Sequence, residues 1–216
     1  MNIMKNALKL YLVTNRSLSL GRPLEEVVSQ AIAGGVTMVQ LREKETPTGE
    51  FVELARGLKR LLQPHGVPLI INDRVDIALA VDADGVHIGQ SDMAYADARK
   101  LVGKDKIVGL SVETLKEVEL ANQLDVDYIG ISPVFATPTK TDTAAPFGID
   151  GLREAVKLSL HPTVAIGGMN KTTAQAVMET GCDGIAVVSA ISSAIDPAAA
   201  AAELIALLET NKYTKK

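Results

Sequence analysis

The sequence predicts a closed (β/α)8 TIM barrel in the α/β class, on three observations. Eight short runs rich in Val and Ile alternate with longer amphipathic stretches from one end of the chain to the other. Similar junctions recur before every second run, at Gly35-Val36-Thr37, Ala83-Asp84-Gly85, Val126-Asp127-Tyr128 and Cys182-Asp183-Gly184. The length of 216 residues suits one domain, near the short end of the roughly 200 to 400 residues such barrels occupy. A unit of two βα pairs repeated four times fits a closed barrel better than an open doubly wound sheet, whose halves repeat once. Periodicity alone admits both, because each architecture covers both faces of continuous apolar strands with helices.

The elements follow in order. The first strand is expected over residues 10–14 and the first helix over 23–33, where Pro23 suits an opening turn and Gly34-Gly35 supplies a left-handed stop. A strand over 38–43, a helix over 48–63, a strand over 68–73 and a short helix over 75–80 come next. Strands over 85–89 and 106–112 are each followed by a helix, over 94–102 and 114–124. The sixth strand, 127–134, leads through a polar, Pro-marked loop to a helix over 149–158. Strands over 163–168 and 184–190, with helices over 171–180 and 196–209, complete eight pairs. Residues 1–216 thus read as a single domain with its core at about 10–210, and 211–216 as a frayed basic tail.

Composition narrows the function. The balance of 22 Lys plus Arg against 26 Asp plus Glu gives −4, which offers no general electrostatic grip on nucleic acid. No Trp, three Phe and four Tyr supply few platforms for stacking bases. A single Cys excludes an internal disulfide and a Cys-rich zinc site, and points to a reducing compartment. No apolar run reaches the roughly 18 residues that span a bilayer. The first nine residues lack a signal peptide's apolar stretch and cleavage site, so a cytoplasmic location is expected. A homo-oligomer is compatible with the sequence, and nothing in it compels one.

In a barrel of this kind the active site lies at the C-terminal ends of the strands. After the second strand, Gln40, Arg42 and Lys44 fall on one side and Leu41 and Glu43 on the other, by the strand period of two. A solvated strand end would look the same. The third and fourth strands end near Asp73 and Asp92, two carboxylates without His or Cys company, which suits a hard cation such as Mg²⁺. Each could instead cap the helix that follows it. Gly167-Gly168 and Val188-Ser189 end the last two strands, where backbone amides and a following helix N-terminus commonly hold phosphate, though a tight turn alone would also use the glycines. Lys140 and neighbouring Thr hydroxyls sit in the loop after the sixth strand, which is long enough to act as a lid or to be plain surface. His87 reads as a structural histidine inside a strand. His65 and His161 carry no partner pattern, and Cys182 reads as packing.

The segments Tyr11-Leu12-Val13-Thr14, Gln40-Leu41-Arg42-Glu43-Lys44 and Thr137-Pro138-Thr139-Lys140, with Gly167-Gly168 and Val188-Ser189, resemble the thiamine-phosphate synthase (thiamin phosphate pyrophosphorylase) family. The resemblance runs from about Tyr11 to Pro197. It implies a transferase that joins 4-amino-2-methyl-5-hydroxymethylpyrimidine diphosphate to a thiazole phosphate, giving thiamine phosphate and pyrophosphate. It further implies that Gln40, Leu41, Arg42, Glu43, Lys44, Asn72, Ser111 and Lys140 meet the pyrimidine diphosphate, with Arg42, Lys44, Ser111 and Lys140 acting in catalysis. Thr137, Pro138, Thr139, Gly168, Val188 and Ser189 fall to the thiazole phosphate, and Asp73 and Asp92 to one Mg²⁺ per subunit. The partners implied are these small-molecule substrates. Two rivals remain at this stage, a thiazole tautomerase-like relative and a non-catalytic phosphate-binding barrel. Glu113 after Ser111-Val112, where tautomerases usually carry His, and the presence of the Thr-Pro-Thr-Lys segment favour the synthase.

Overall fold

The computed structural model describes residues 3–137 and 145–210. Its eight parallel strands are β1 (Leu10–Val13), β2 (Met38–Leu41), β3 (Leu69–Asn72), β4 (Gly85–Ile88), β5 (Ile107–Val112), β6 (Tyr128–Ile131), β7 (Thr163–Ile166) and β8 (Gly184–Val187). They close in chain order into a barrel, β8 pairing β1 with Leu10 opposite Ile185. The closed alternative is therefore the one adopted. The helices are α1 (Ile3–Ala7), α2 (Leu24–Ala33), α3 (Thr48–Leu62), α4 (Val75–Ala80), α5 (Tyr95–Val102), α6 (Leu115–Ala121), α7 (Gly148–Leu158), α8 (Ala174–Met178), α9 (Ser189–Ser192) and α10 (Pro197–Thr210).

Strand alternation divides the apolar residues into two bodies. Outward residues such as Leu12, Val39, Leu41, Ile71, Val86, Val108, Ile129 and Ile185 pack beneath the helices. Inward residues Tyr11, Val13, Met38, Ile70, Tyr128, Val164 and Ala186 fill the barrel, with Leu8 beneath them. Because every strand is covered on both faces, the runs are apolar throughout, as parallel sheets require. Inward positions nearer the C-terminal mouth change character, to Gln40, Asn72, His87 and Ser111.

The recurring junctions form one device, used four times. Thr37, Asp84, Asp127 and Asp183 each directly precede an even strand. Their side-chain oxygens accept the amide N–H of Leu10, Leu69, Val108 and Thr163, the facing residues of the odd strands, at 2.9, 2.8, 2.8 and 2.9 Å. The same four residues return a backbone N–H to the carbonyls of those partners at 2.9–3.0 Å. Each strand pair is thus clamped at its N-terminal end by two opposed bonds. The three carboxylates also pair with Lys59, Arg99 and Lys5, each at 2.8 Å.

The structure trims most of the expected elements by a few residues. The third expected strand, 68–73, stops at Asn72, and the seventh expected helix contracts to Ala174–Met178. Helices α1 and α9 were not expected, being five and four residues long and too short to show a periodic pattern. The expected tail, residues 211–216, lies outside the described residues, as do Pro138, Thr139 and Lys140. Among the described residues, no helix is long and apolar enough to cross a membrane.

Candidate active site

A cavity of about 550 Å³ opens at the C-terminal mouth of the barrel. Gln40, Arg42, Lys44, Asn72, Asp73, Asp92, Ser111, Thr137, Gly168, Val188 and Ser189 all line it. Leu41 and Glu43 do not. Alternation turns Leu41 outward into the helix-facing core, fully buried. It turns Glu43 toward Arg16, with which it forms an ion pair at 2.8 Å, while also accepting the Thr46 hydroxyl.

The cationic side of the mouth comes from the end of β2. Lys44 Nζ reaches Asp73 Oδ2 at 2.6 Å. Arg42 is half-buried, its amide N–H donates to Thr14 Oγ1 at 3.1 Å, and its guanidinium has no ion pair among the described residues. An arginine presented to a cavity in this way is open to an anionic ligand.

Asp73 and Asp92 are not helix caps. The residues that precede α4 and α5 are Arg74 and Ala94, and neither helix has a side-chain cap bond. Asp73 instead takes a left-handed backbone conformation, φ 60°, a strain that non-glycine residues carry mainly where surrounding structure enforces it. Its N–H donates to the His87 carbonyl at 2.8 Å. Asp92 Oδ2 accepts the Gly89 N–H at 2.7 Å. Burial, with the Asp73 carboxyl beside it, holds the Asp92 carboxyl above its usual range, against the opposing pull of the Gly89 amide and Lys44. A carboxyl whose ionised form is disfavoured by burial and by a second carboxyl beside it is relieved by a cation. Among the described residues no group of three or more His, Cys, Asp or Glu forms a metal cluster. Two oxygen donors and no nitrogen or sulfur suit Mg²⁺, which keeps most of its positions for water and phosphate oxygens.

Across the mouth, Gly167 and Gly168 adopt φ 98° and 71°, which only glycine takes without strain. The Gly168 carbonyl accepts from Asn170 Nδ2 at 3.1 Å and Thr173 Oγ1 at 3.2 Å, which fixes the turn. The N–H groups of Gly168 and of Ser189, the first residue of α9, donate no hydrogen bond among the described residues. These are the donors a phosphate seeks after the last two strands of such a barrel.

Between the two ends lies an uncharged floor. Ser111 Oγ is 2.8 Å from His87 Nε2, and Gln40 Nε2 donates to Tyr11 Oη at 2.7 Å. His87 is satisfied at both nitrogens, as a structural histidine is, yet it also lines the cavity. Its alternation with Val86 and Ile88, which places it on the inward face with Asn72 and Ser111, is the signal that could have marked it. Cys182 is buried, its thiol within 3.4 Å of the Thr163 and Gly184 carbonyls, and burial pushes its pKa up, as suits packing.

A closed parallel barrel with a polar cavity at its C-terminal mouth defines an enzyme of the (β/α)8 class. Within that class, the model of the family described as thiamine monophosphate synthase matches residues 10–191, and the chain belongs to this family. It is 52% identical over 203 residues to the thiamine-phosphate synthase of Albidiferax ferrireducens, covering 94% of this chain and 93% of the relative. It is 53% identical over 204 residues to that of Vibrio parahaemolyticus, covering 94% and 100%. Among solved structures, thiamine phosphate pyrophosphorylase from Pyrococcus furiosus superposes with a TM-score of 0.88 at 41% identity, covering 96% of this chain and 98% of the other. The chain is a transferase of thiamine phosphate synthesis, acting on small molecules.

Proposed function

We propose that the cavity binds the pyrimidine diphosphate toward Arg42, Lys44, Asp73 and Asp92, and the thiazole phosphate toward Gly168, Val188 and Ser189. What supports this assignment above all is that the two anion-seeking ends of one cavity differ in kind. One end carries full charges of both signs, as a diphosphate with a divalent cation needs. The other carries uncharged backbone donors, as a monophosphate needs. Thr137 lines the same cavity, and Pro138, Thr139 and Lys140 follow it in the chain as further ligands of the two phosphates.

The reaction breaks the C–O bond between the pyrimidine methylene and the diphosphate, and the electron pair leaves with the diphosphate. The thiazole nitrogen then supplies its lone pair to the methylene carbon. An electron-rich aminopyrimidine stabilises the cation in between, so no nucleophilic side chain is needed. Arg42, Lys44 and Lys140 neutralise charge growing on the departing oxygens, while Gln40, Asn72 and Ser111 orient the pyrimidine. Asp73 and Asp92 would hold Mg²⁺, which when bound supplies further charge neutralisation at the leaving group. The protein works inside the cell's reducing compartment on this reading.

Purified protein mixed with the two substrates and Mg²⁺ should release pyrophosphate in step with thiamine phosphate, and excess chelator should stop it. Undiminished release in chelator would remove the metal from the scheme. Isomerisation of the thiazole without pyrophosphate would replace the reaction itself.

A further inference from the structure

Tyr11, Tyr128 and His87 carry no role in the scheme above, yet they link Gln40 to Ser111 by an unbroken chain of hydrogen bonds across the cavity floor. Gln40 Nε2 donates to Tyr11 Oη at 2.7 Å. Tyr11 Oη lies 2.9 Å from Tyr128 Oη, which lies 2.9 Å from His87 Nδ1. His87 Nε2 lies 2.8 Å from Ser111 Oγ. Five residues from five strands take part: β2, β1, β6, β4 and β5.

The packing makes deliberate room for the chain. A Cβ on Gly109 of β5 would stand 2.2 Å from Tyr128 Cζ and 2.5 Å from His87 Nδ1, inside the contact the two side chains make. The His87 and Tyr128 rings stack with centroids 5.5 Å apart, and Tyr11 meets Tyr128 edge-on at 6.0 Å. Burial pushes the pKa of both phenols up, so each keeps its proton.

A phenol has one proton to donate, and a neutral imidazole has one. Tyr11 accepts from Gln40, so its own proton goes to Tyr128, and the proton of Tyr128 goes to His87 Nδ1. With His87 neutral, the imidazole proton is then at Nε2, directed at Ser111 Oγ. Ser111 accepts there and makes no other side-chain bond among the described residues, so its hydroxyl proton is left for a ligand. At the far end, one N–H of the Gln40 amide is spent on Tyr11, which fixes the orientation of the amide and leaves its oxygen to be offered to the cavity.

We propose that Tyr11, Tyr128 and His87 are positioning residues that give this chain one polarity, fixing Ser111 as a donor and Gln40 as an acceptor toward the cavity. The ligand named rests on the proposed function. An aminopyrimidine meets both demands, since its ring nitrogens accept and its exocyclic amine donates. A pyrimidine with an oxo group in place of the amine sets oxygen against oxygen at Gln40, so the chain selects amino over oxo rings.

Two measurements on the full-length enzyme test this. Long-range ¹H–¹⁵N spectra of the three histidines, assigned with His65→Gln and His161→Gln, should show His87 neutral with its proton on Nε2. A proton on Nδ1 would overturn the proposal without any reference to activity. Tyr128→Phe removes the donor to Nδ1. It should let both His87 tautomers appear and cut the kcat/KM preference for the 4-amino over the 4-oxo pyrimidine diphosphate by about tenfold, the size of one hydrogen bond. A Tyr128→Phe enzyme with a lowered Tm but an unchanged tautomer and preference would show a purely structural role and defeat the idea. Absence of pyrophosphate release by the wild type would defeat the proposed function instead, leaving the tautomer measurement to judge the chain.

Discussion

Asp84→Ala removes one of the four clamps without touching the cavity, and its cost follows from the bonds lost. The Leu69 amide loses a carboxylate acceptor at 2.8 Å, and Lys59 loses its ion pair at 2.8 Å. A hydrogen bond to a charged group contributes about 1.5–3 kcal/mol, and a surface ion pair about 0.2–1 kcal/mol. The Asp84 side chain is 37% exposed, so water partly replaces it at the Leu69 amide and the lower part of the range applies, about 2 kcal/mol. For a domain of this size that corresponds to a Tm lower by about 4–8 °C. Thr37→Ala loses the bond from the Leu10 amide at 2.9 Å and the bond its own hydroxyl donates to the Ala7 carbonyl at 2.8 Å, and at about 1 kcal/mol for each neutral bond it should cost about 2 kcal/mol. Turnover at 25 °C should be unchanged in both, because the clamps lie at the end of the barrel opposite the mouth. Thermal and urea melts followed by circular dichroism, with pyrophosphate release measured alongside, read both quantities. The reasoning fails if either variant melts within 1 °C of the wild type, or if turnover falls with Asp84.

Asp92→Asn should separate stability from activity. The raised pKa means that the native protein holds this proton to higher pH than the unfolded chain does, so the contribution is fully present below the unfolded value and lost as pH rises through the native one. At pH 8 without metal the variant should therefore equal or exceed the wild type in Tm, while kcat falls roughly 100-fold or more. A destabilised Asp92→Asn at that pH would contradict the charge argument. Arg42→Ala should lower kcat/KM roughly 100-fold, about 3 kcal/mol of transition-state stabilisation, and shift stability by no more than about 0.5 kcal/mol; a matching loss of Tm would mark it as structural. Gly109→Ala forces a methyl against Tyr128 and His87 and should cost about 1–3 kcal/mol in a urea melt, so wild-type stability would refute the close packing described.

Strand positions were legible because each strand is buried on both faces and reads as an apolar run. Their ends were less so, since the residues leaving each strand stay apolar or polar by the demands of the site. The junction repeat was visible as a pattern, but its chemistry was not. That Thr37 and three aspartates all accept an amide from the neighbouring strand depends on register, which no single segment reveals. Leu41 and Glu43 show two signals in conflict. A contiguous motif grouped them with Gln40, Arg42 and Lys44, whereas the strand period separated them, and the geometry follows the period. His87 reads as structural because a histidine inside an apolar run looks satisfied, and both its ring nitrogens do have partners. Its partners Tyr128 and Ser111 lie 41 and 24 residues away in the chain.

The bond between Lys44 and Asp73 makes filling the mouth an exchange rather than an addition. On the proposed reading, a cation arriving alone at Asp73 and Asp92 would displace Lys44 and leave an ammonium beside a divalent ion. A diphosphate arriving alone meets Lys44 already engaged and two carboxylates close by. With both present, the carboxylates would hold the cation and the freed Lys44 would be available to the phosphate oxygens. On the proposed reading each therefore raises the affinity for the other by the same factor, as linkage requires, and the resting site has its own counterion in place until both are present.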